Sequence, residues 1–184
     1  MEIRMLTEAD SEAIATWRYP GRYATYDPDE PVTPEGGSWA VEHEGELVGY
    51  CSFGHAARVP GIEEEEGTLD VGYGMRPDLM GRGLGREFVG AILDHATGEF
   101  SPGRFRLLIL DWNERSQRVA AVLGFRKEDV VRSIEGDFLV MTRELPPQAG
   151  ARPHRPVGGR QVDPGDVSQL LEAGEPGSPR PRPP

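Results

Sequence analysis

A glycine-rich turn between a strand and a helix constrains this chain more than any other part of its sequence. Residues 70–93 read DVGYGMRPDLMGRGLGREFVGAIL, with glycines at positions 81, 83 and 85 ahead of an amphipathic helix. The first turn of a helix carries unpaired N–H groups and the positive end of the helix dipole. Because glycines keep side chains away from such groups, the segment predicts a backbone cradle for a phosphate. A tight strand–helix connection without a ligand explains the same glycines.

Two common phosphate-binding motifs do not fit this turn. A Walker loop requires a Gly-Lys-Ser/Thr ending, which is missing here. A dinucleotide fingerprint requires G-x-G-x-x-G, whereas this chain has G-x-G-x-G with Arg86 where a small residue is expected. No G-x-S-x-G elbow is present either, which weighs against a hydrolase triad.

The periodicity of apolar residues predicts seven strands and three helices in a mixed α/β sheet, without strict strand–helix alternation. The order is strand, helix, long loop, three strands, helix, strand, helix and two strands. The predicted strands cover residues 3–5, 38–43, 46–53, 68–75, 105–110, 125–131 and 138–142; the helices begin near residue 8 and cover 83–96 and 114–123. Residues 18–37, rich in Pro, Gly and Tyr, are predicted to form a loop.

Composition changes abruptly at Pro146-Pro147, which predicts one domain over residues 1–146 and a tail over 147–184. Ten of the 17 prolines lie from Pro146 onward, and such a segment cannot bury enough apolar area to order itself. A short helix around 164–173 is expected to be transient, or to dock through Val167, Leu170 and Leu171.

Charge and composition exclude several classes of protein. Residues 1–146 carry 15 basic and 27 acidic residues, a net charge of −12, which repels nucleic acid and anionic lipid. The same charge favours a cationic partner. No window of 18 apolar residues and no secretory leader is visible, so a cytoplasmic protein is expected. With a lone cysteine, Cys51, and four scattered histidines, neither a disulfide framework nor a metal site is predicted.

A second motif follows the predicted strand 105–110. Asn113 ends this strand and opens a helix within NERSQRVAAVLGF, which suits an N-cap. Its amide could equally face a ligand that lies between the two neighbouring strands. Together with the glycine turn, this motif adds support for a bound ligand over a tight strand–helix connection alone.

The two motifs together resemble those of the GNAT family of acetyl-CoA-dependent N-acetyltransferases, in particular the branch that includes ribosomal-protein N-terminal acetyltransferases. Residues 80–85 match the cofactor signature Q/R-x-x-G-x-G/A except at Met80, and Asn113, Ser116 and the pair Gly124-Phe125 are similar to the second signature. The resemblance covers residues 1 to about 145. It implies a single domain whose central strands splay apart.

The resemblance also implies an activity and a cofactor site. The protein would transfer an acetyl group from acetyl-CoA, used as a co-substrate, to a primary amine that attacks the thioester directly. Backbone amides of the glycine turn would hold the pyrophosphate, and the end of the preceding strand would pair with the pantetheine arm. The implied cofactor-binding residues are Tyr73, Gly74, Met75, Gly81, Arg82, Gly83, Leu84, Gly85, Arg86 and Asn113.

Proton handling is predicted by the same resemblance. Many family members use a tyrosine on the second helix as the general acid, and this chain has Ala120 at that position. Ser116 therefore becomes the predicted acid, although it could merely satisfy backbone groups in the first helical turn. Asp70 becomes the predicted base, acting through a water, although it could be an ordinary charge at the strand edge.

The acceptor is left open by the sequence. The resemblance implies a small-molecule amine or a protein N-terminus, selected by loops at residues 18–37 and 132–137. Tyr19, Tyr23 and Tyr26 could line its pocket or pack on the sheet, and the acidic run Glu63–Glu66 could attract it or be a solvated loop. The alternatives are an acyl-CoA-binding module with weak catalysis and a partner-binding tail, or transfer of a longer acyl group. A monomer or a homodimer is expected.

Overall fold

A computed structural model describes residues 1–29, 31–134 and 136–146. The predicted tail, including its possible helix at 164–173, lies outside the described residues. Strands are β1 Glu2–Met5, β2 Ser38–His43, β3 Glu46–Phe53, β4 Thr68–Met75, β5 Arg104–Leu110, β6 Arg126–Ser133 and β7 Gly136–Glu144; helices are α1 Glu8–Ala15, α2 Gly85–Phe100 and α3 Glu114–Val122. The predicted order of strands and helices is therefore confirmed.

The strands form one seven-stranded mixed sheet with the order β1-β2-β3-β4-β5-β7-β6. Neighbouring strands are antiparallel except β4 and β5, which run parallel. A parallel pair needs a long crossover, and α2 supplies it. The prediction of a mixed α/β domain is confirmed.

The two parallel strands pair only at their beginnings. Hydrogen-bonded register links Thr68, Leu69 and Asp70 of β4 to the first three residues of β5, and it ends at Asp70–Arg106. β4 then continues to Met75 and β5 to Leu110, and β7 pairs with the other edge of β5 along its whole length. The facing edges of β4 and β5 beyond this point therefore diverge, and the prediction of splayed central strands is confirmed.

Apolar side chains cover both faces of the sheet. On one face, α2 buries Phe88, Ile92 and Ala96 against β-strand residues such as Leu69 and Phe105. A smaller cluster on the other face joins α1 and the residues on either side of it to β2: Leu6, Ile14, Trp17 and Ala40. Because side chains alternate along a strand, β4 and β5 contribute residues to both faces at the fork, the point where the two strands diverge.

Besides shifts of one or two residues at the ends of several elements, two features differ from the sequence prediction. The loop at 18–37 contains a 3₁₀ turn at Gly21–Tyr26, and α2 extends beyond the predicted residue 96 to Phe100. Phe100 continues the four-residue spacing of Phe88, Ile92 and Ala96 and packs on the same cluster, which offsets the helix-weakening effect of Gly98. Across the described ranges, no helix combines the length and apolar character needed to span a bilayer.

Candidate active site

A cavity of about 600 Å³ opens where β4 and β5 diverge. Four segments form its wall: the end of β4, the glycine turn with the first residues of α2, the middle of β5, and the inner face of α3. Tyrosines from β3 and from residues 19–26 close one end of the cavity. Lining residues from the predicted cofactor site are Tyr73, Gly74, Met75, Gly81, Gly83, Leu84, Gly85, Arg86 and Asn113.

The glycine turn brings backbone rather than side chains to the cavity. Gly81 and Gly83 have φ values of +78° and +83°, a region in which side-chain-bearing residues are strained. Gly85 has a different reason to be glycine, since a Cβ there would lie 2.8 Å from Cγ2 of Val119 on α3. The turn therefore combines two glycines that shape the backbone with one that lets the two helices pack.

The first turn of α2 points at the cavity with unpaired donors. Leu84 precedes the helix and supplies no side-chain cap, so the amides of the first turn have no acceptor within the helix. Arg82 is exposed beside this turn and does not line the cavity. This arrangement is a ready site for an anion.

The cavity wall is positively charged although the domain is acidic. Arg86 of α2 and two arginines of α3, Arg115 and Arg118, line it, and Arg118 also pairs with the exposed Glu114 outside the wall at 3.2 Å. Over the part of the chain that the structure describes, no Asp or Glu contributes to this wall. Local electrostatics therefore favour an anionic ligand, opposite to the sign of the net charge.

A tyrosine and a serine meet across the cavity. The hydroxyl of Tyr73 on β4 lies 2.6 Å from Oγ of Ser116 on α3, and either oxygen can be the donor. Burial raises the pKa of Tyr73 to about 12, an effect that the Ser116 hydrogen bond opposes. Tyr73 is therefore protonated at neutral pH and, through Ser116, forms a chain of two hydroxyls.

Asn113 has both ends of its amide engaged. Its Oδ1 accepts a hydrogen bond from the backbone N–H of Ser116 at 3.2 Å, as expected of an N-cap. Its Nδ2 donates to the hydroxyl of Tyr26 at 2.9 Å. Asn113 thus begins α3 and fastens the tyrosine-rich segment to the end of β5.

Aromatic side chains from residues 19–26 line the cavity, and their rings pack on one another and on Trp112, which follows β5. That they bind an acceptor stays a prediction. Tyr19, Tyr23 and Tyr26 line the wall with Tyr50 of β3. The hydroxyl of Tyr19 donates to the carbonyl of Met75 at 2.9 Å, and burial raises the pKa of Tyr19 and Tyr26. These phenols are neutral hydrogen-bonding groups near the end of β4.

Asp70 lies away from the cavity, which disfavours the role of base predicted for it. Its Oδ1 accepts from Nε of Arg106 at 2.5 Å and its Oδ2 from Nε of Arg58 at 2.9 Å. The residue is 1% exposed and is not part of the cavity wall. Alternation along β4 turns this carboxylate to the opposite side from Tyr73. Asp70 therefore binds two arginines rather than an attacking amine.

The acidic run Glu63–Glu66 belongs to the same ion-pair network. Glu65 pairs with Arg104 and Arg106, and the carbonyl of Glu63 accepts from Nη2 of Arg106 at 2.9 Å. Glu64 lies 3.6 Å from Arg58. All four glutamates are exposed, which agrees with the alternative of a solvated loop. Their contacts also tie the loop before β4 to the start of β5.

Sequence reasoning did not single out several residues of this site. Arg115 and Arg118 lie three positions apart on α3, a spacing that places them on one face and could have been noticed. The hydroxyl of Tyr73 was overlooked because only its backbone was considered. Tyr50 carried no local signal, since it occurs in an ordinary alternating strand.

Two expectations concern reactive groups. Cys51 is fully buried, and burial raises the pKa of its thiol to about 12, which confirms it as a small core residue rather than a nucleophile. Within residues 1–29, 31–134 and 136–146, no three His, Cys, Asp or Glu side chains converge in a way that could hold a metal ion.

Known proteins resemble the chain in both sequence and fold. The family model described as acetyltransferase (GNAT) domain matches residues 1–126. An uncharacterized N-acetyltransferase p20 of Bacillus licheniformis is 25% identical over 95 residues, covering 52% of this chain. The chain spans about half the length of that curated relative, 50%.

Solved structures share the fold at low sequence identity. The aminoglycoside acetyltransferase AAC(6′)-Ib in complex with coenzyme A has a TM-score of 0.62 at 18% identity, covering 77% of this chain and 93% of that one. A putative acetyltransferase yncA from Salmonella typhimurium with acetyl-CoA has a TM-score of 0.58 at 22% identity, covering 83% and 98%.

A third structure has a similar relation to the chain. The ribosomal-protein-S5-alanine acetyltransferase from Vibrio fischeri has a TM-score of 0.57 at 22% identity, covering 77% and 91%. These identities establish a shared fold, whereas the family model spans more than half of the sequence and includes the fork and the glycine turn. The protein therefore belongs to the GNAT acetyltransferase family.

Proposed function

We propose that the protein is an N-acetyltransferase that uses acetyl-CoA as co-substrate and a primary amine as acceptor. The observation that carries this proposal is the continuity of one cavity from the α2 N-terminus, along the diverging strands, to the tyrosine-lined end. Such a cavity has room for a long ligand with an anionic end, an extended middle and a reactive tip.

The residues present fit coenzyme A. Unpaired amides of the first turn of α2 suit the pyrophosphate, and Arg86 and Arg118 add positive charge beside them. Beyond Asp70, the edge of β4 has no strand partner on the β5 side. The backbone groups of the segment 73–75 that face this edge are therefore left for the amides of the pantetheine arm, except the Met75 carbonyl, which accepts from Tyr19. Coenzyme A or acetyl-CoA is named with two of the similar structures, which supports the same ligand here.

Bound acetyl-CoA would supply a thioester whose carbonyl the amine attacks, with the thiolate of coenzyme A as leaving group. The hydroxyls of Ser116 and Tyr73 are 2.6 Å apart and both line the cavity. With a pKa of about 12, Tyr73 stays protonated through neutral pH and can return a proton by way of Ser116. This role extends the one predicted for Ser116 from the sequence to a pair of residues.

No carboxylate is proposed as the base. The carboxylate of Asp70 binds two arginines away from the cavity, and no Asp or Glu lies in the described wall. An alkylammonium group with a pKa near 10 is present in part as the free amine above neutral pH. We infer that solvent at the open end of the cavity accepts the proton before attack.

A pair of matched glycine variants tests the coenzyme site. Gly83 and Gly61 both have positive φ, +83° and +90°, and a Cβ at either would meet nothing within 4 Å. Alanine should therefore impose a similar backbone strain at both, of about 1–2 kcal/mol. Only the new methyl group at position 83 enters the cavity, so Gly83→Ala should weaken acetyl-CoA binding at least tenfold, about 1.4 kcal/mol.

Titration calorimetry measures this binding, and release of coenzyme A with a mixture of amines measures transfer. Equal acetyl-CoA affinities of the Gly83→Ala and Gly61→Ala proteins would contradict the cradle. Tight binding of acetyl-CoA with no release of coenzyme A toward any amine would favour the alternative of an acyl-CoA-binding module. Turnover of succinyl-CoA in preference to acetyl-CoA would favour the longer-acyl alternative.

A further inference from the structure

Among the residues that the structure describes, aromatic and not acidic side chains line the end of the cavity that the tyrosines close. Four tyrosines, at positions 19, 23, 26 and 50, form this part of the wall. Across the described residues, the entire wall includes no Asp or Glu that could neutralise a second positive charge on an acceptor. The wall therefore offers a polyamine or an aminoglycoside no counter-charge. The nearby Asp27 carboxylate accepts the backbone N–H of Tyr19 at 2.7 Å and is not part of the wall.

Two arginines at this end bind aromatic rings instead of carboxylates. The guanidinium carbon of Arg115 lies 5.0 Å from the ring centroid of Tyr23, and that of Arg22 lies 4.3 Å from the ring of Trp112. The two rings are in turn neighbours, with centroids 5.4 Å apart. Neither arginine has an ion pair within the described ranges.

A guanidinium that stacks on an aromatic ring keeps the N–H groups at its edge free to bind a ligand. The contact with an aromatic ring uses the face of the group, whereas its N–H donors lie in the plane and point outward. That edge matches the geometry of a carboxylate, which it can bind through two parallel hydrogen bonds. Arg115 lines the cavity itself, whereas Arg22 contacts Trp112, which packs on two of the lining tyrosines, Tyr23 and Tyr26.

We propose that the acceptor is a small primary amine that carries an apolar or aromatic body and a carboxylate, as in an aromatic amino acid. The body would lie against the tyrosines and the carboxylate on the edge of Arg115. This inference rests on the proposed acetyl transfer and specifies its acceptor. It opposes the attraction of cations expected from the net charge of residues 1–146, because the charges that line the cavity act at shorter range than those on the remaining surface.

Matched amines test the proposal. Phenylalanine and phenethylamine share a ring and a primary amine and differ in the carboxylate, while alanine keeps the carboxylate without the ring. We expect kcat/KM for phenylalanine to exceed that for phenethylamine, alanine, spermidine and kanamycin. Arg115→Gln should lower kcat/KM at least tenfold for phenylalanine and less than threefold for phenethylamine.

Arg126 provides a control for the arginine variant. It is exposed on β6 and does not line the cavity, so Arg126→Gln should leave the preference for phenylalanine unchanged. An equal loss for both amines in Arg115→Gln, or faster acetylation of spermidine or kanamycin than of phenylalanine, overturns the proposal. Alanine acetylated as well as phenylalanine overturns its aromatic part.

Product binding separates this proposal from the proposed function. In the presence of coenzyme A, N-acetylphenylalanine should bind at least tenfold more tightly than N-phenethylacetamide, and Arg115→Gln should abolish the difference. If this holds while no amine is acetylated, the acetyl transfer fails and the anion-binding aromatic site stands. If coenzyme A is released with other amines but the two products bind alike, the acetyl transfer stands and the acceptor class is overturned.

Discussion

Replacing Asp70 by asparagine should destabilise the fold far more than it affects the chemistry. The carboxylate holds Arg106 at 2.5 Å and Arg58 at 2.9 Å. The side chains of Asp70 and Arg106 are 2% and 9% exposed. Removing one partner of such a buried pair leaves uncompensated positive charge in the protein and costs about 3–5 kcal/mol. Domains are typically stable by only about 5–15 kcal/mol.

The expected loss is large enough to measure by thermal and urea unfolding. For a domain of this size, each kcal/mol shifts Tm by about 2–4 °C, so Asp70→Asn should lower Tm by about 10 °C. Asp78→Asn is the matched control, because Asp78 also pairs with an arginine but its side chain is 55% exposed. An exposed pair contributes about 0–1 kcal/mol, and the control should melt within about 3 °C of the parent protein.

Turnover separates the structural role from the catalytic one. Below the melting range, Asp70→Asn should keep kcat within about tenfold of the parent protein, because no atom of Asp70 reaches the cavity wall. A variant that melts normally but loses turnover a hundredfold or more would show that Asp70 is the base after all. That result would overturn the conclusion that the carboxylate serves only to bind the two arginines.

Three further predictions test other parts of the fold and site. Ser116→Ala and Tyr73→Phe should each lower kcat roughly tenfold to a hundredfold with acetyl-CoA affinity unchanged; a double variant no slower than either single one would show that they act as a pair, and full activity in both would assign the proton to solvent. The hydrogen bond from Arg4 lowers the pKa of Asp10 from 3.8 to about 2. The ionised carboxylate therefore contributes about 2 kcal/mol of stability above pH 4, and this contribution is lost as the pH falls through 2. Urea unfolding of Asp10→Asn should therefore show a deficit at pH 6 that disappears near pH 2, and a deficit independent of pH would contradict this linkage. Gly85→Val should destabilise the domain by about 1–3 kcal/mol through the contact with Val119, and unchanged stability would show that α3 moves aside at no cost.

Local patterns determined much of the fold. The hairpin of β2 and β3 follows from alternating residues around Glu44-Gly45, and its predicted bounds agree with those observed. The apolar spacing of α2 and the N-cap at Asn113 were equally local. Each of these features depends on residues that lie close together in the sequence, so the sequence alone is enough to predict it.

The glycine turn shows where sequence and structure contribute different information. The sequence indicated a backbone cradle at residues 81–86, and two of its glycines do have the positive φ values that such a turn needs. Only the packing of α2 on α3 revealed that Gly85 makes room for Val119. The same residue type thus has two causes, one readable from the chain and one not.

The tertiary structure alone decided which side chains share the site. Tyr73 and Ser116 are 43 positions apart and meet because β4 and β5 diverge beyond Asp70. Alternation along β4 turns Asp70 to the opposite side, where it binds Arg58 and Arg106. The periodicity of a strand shows that adjacent side chains point to opposite faces of the sheet. Which face meets a ligand depends on the strand register and on the elements packed against each face, and distant segments of the chain determine these two properties.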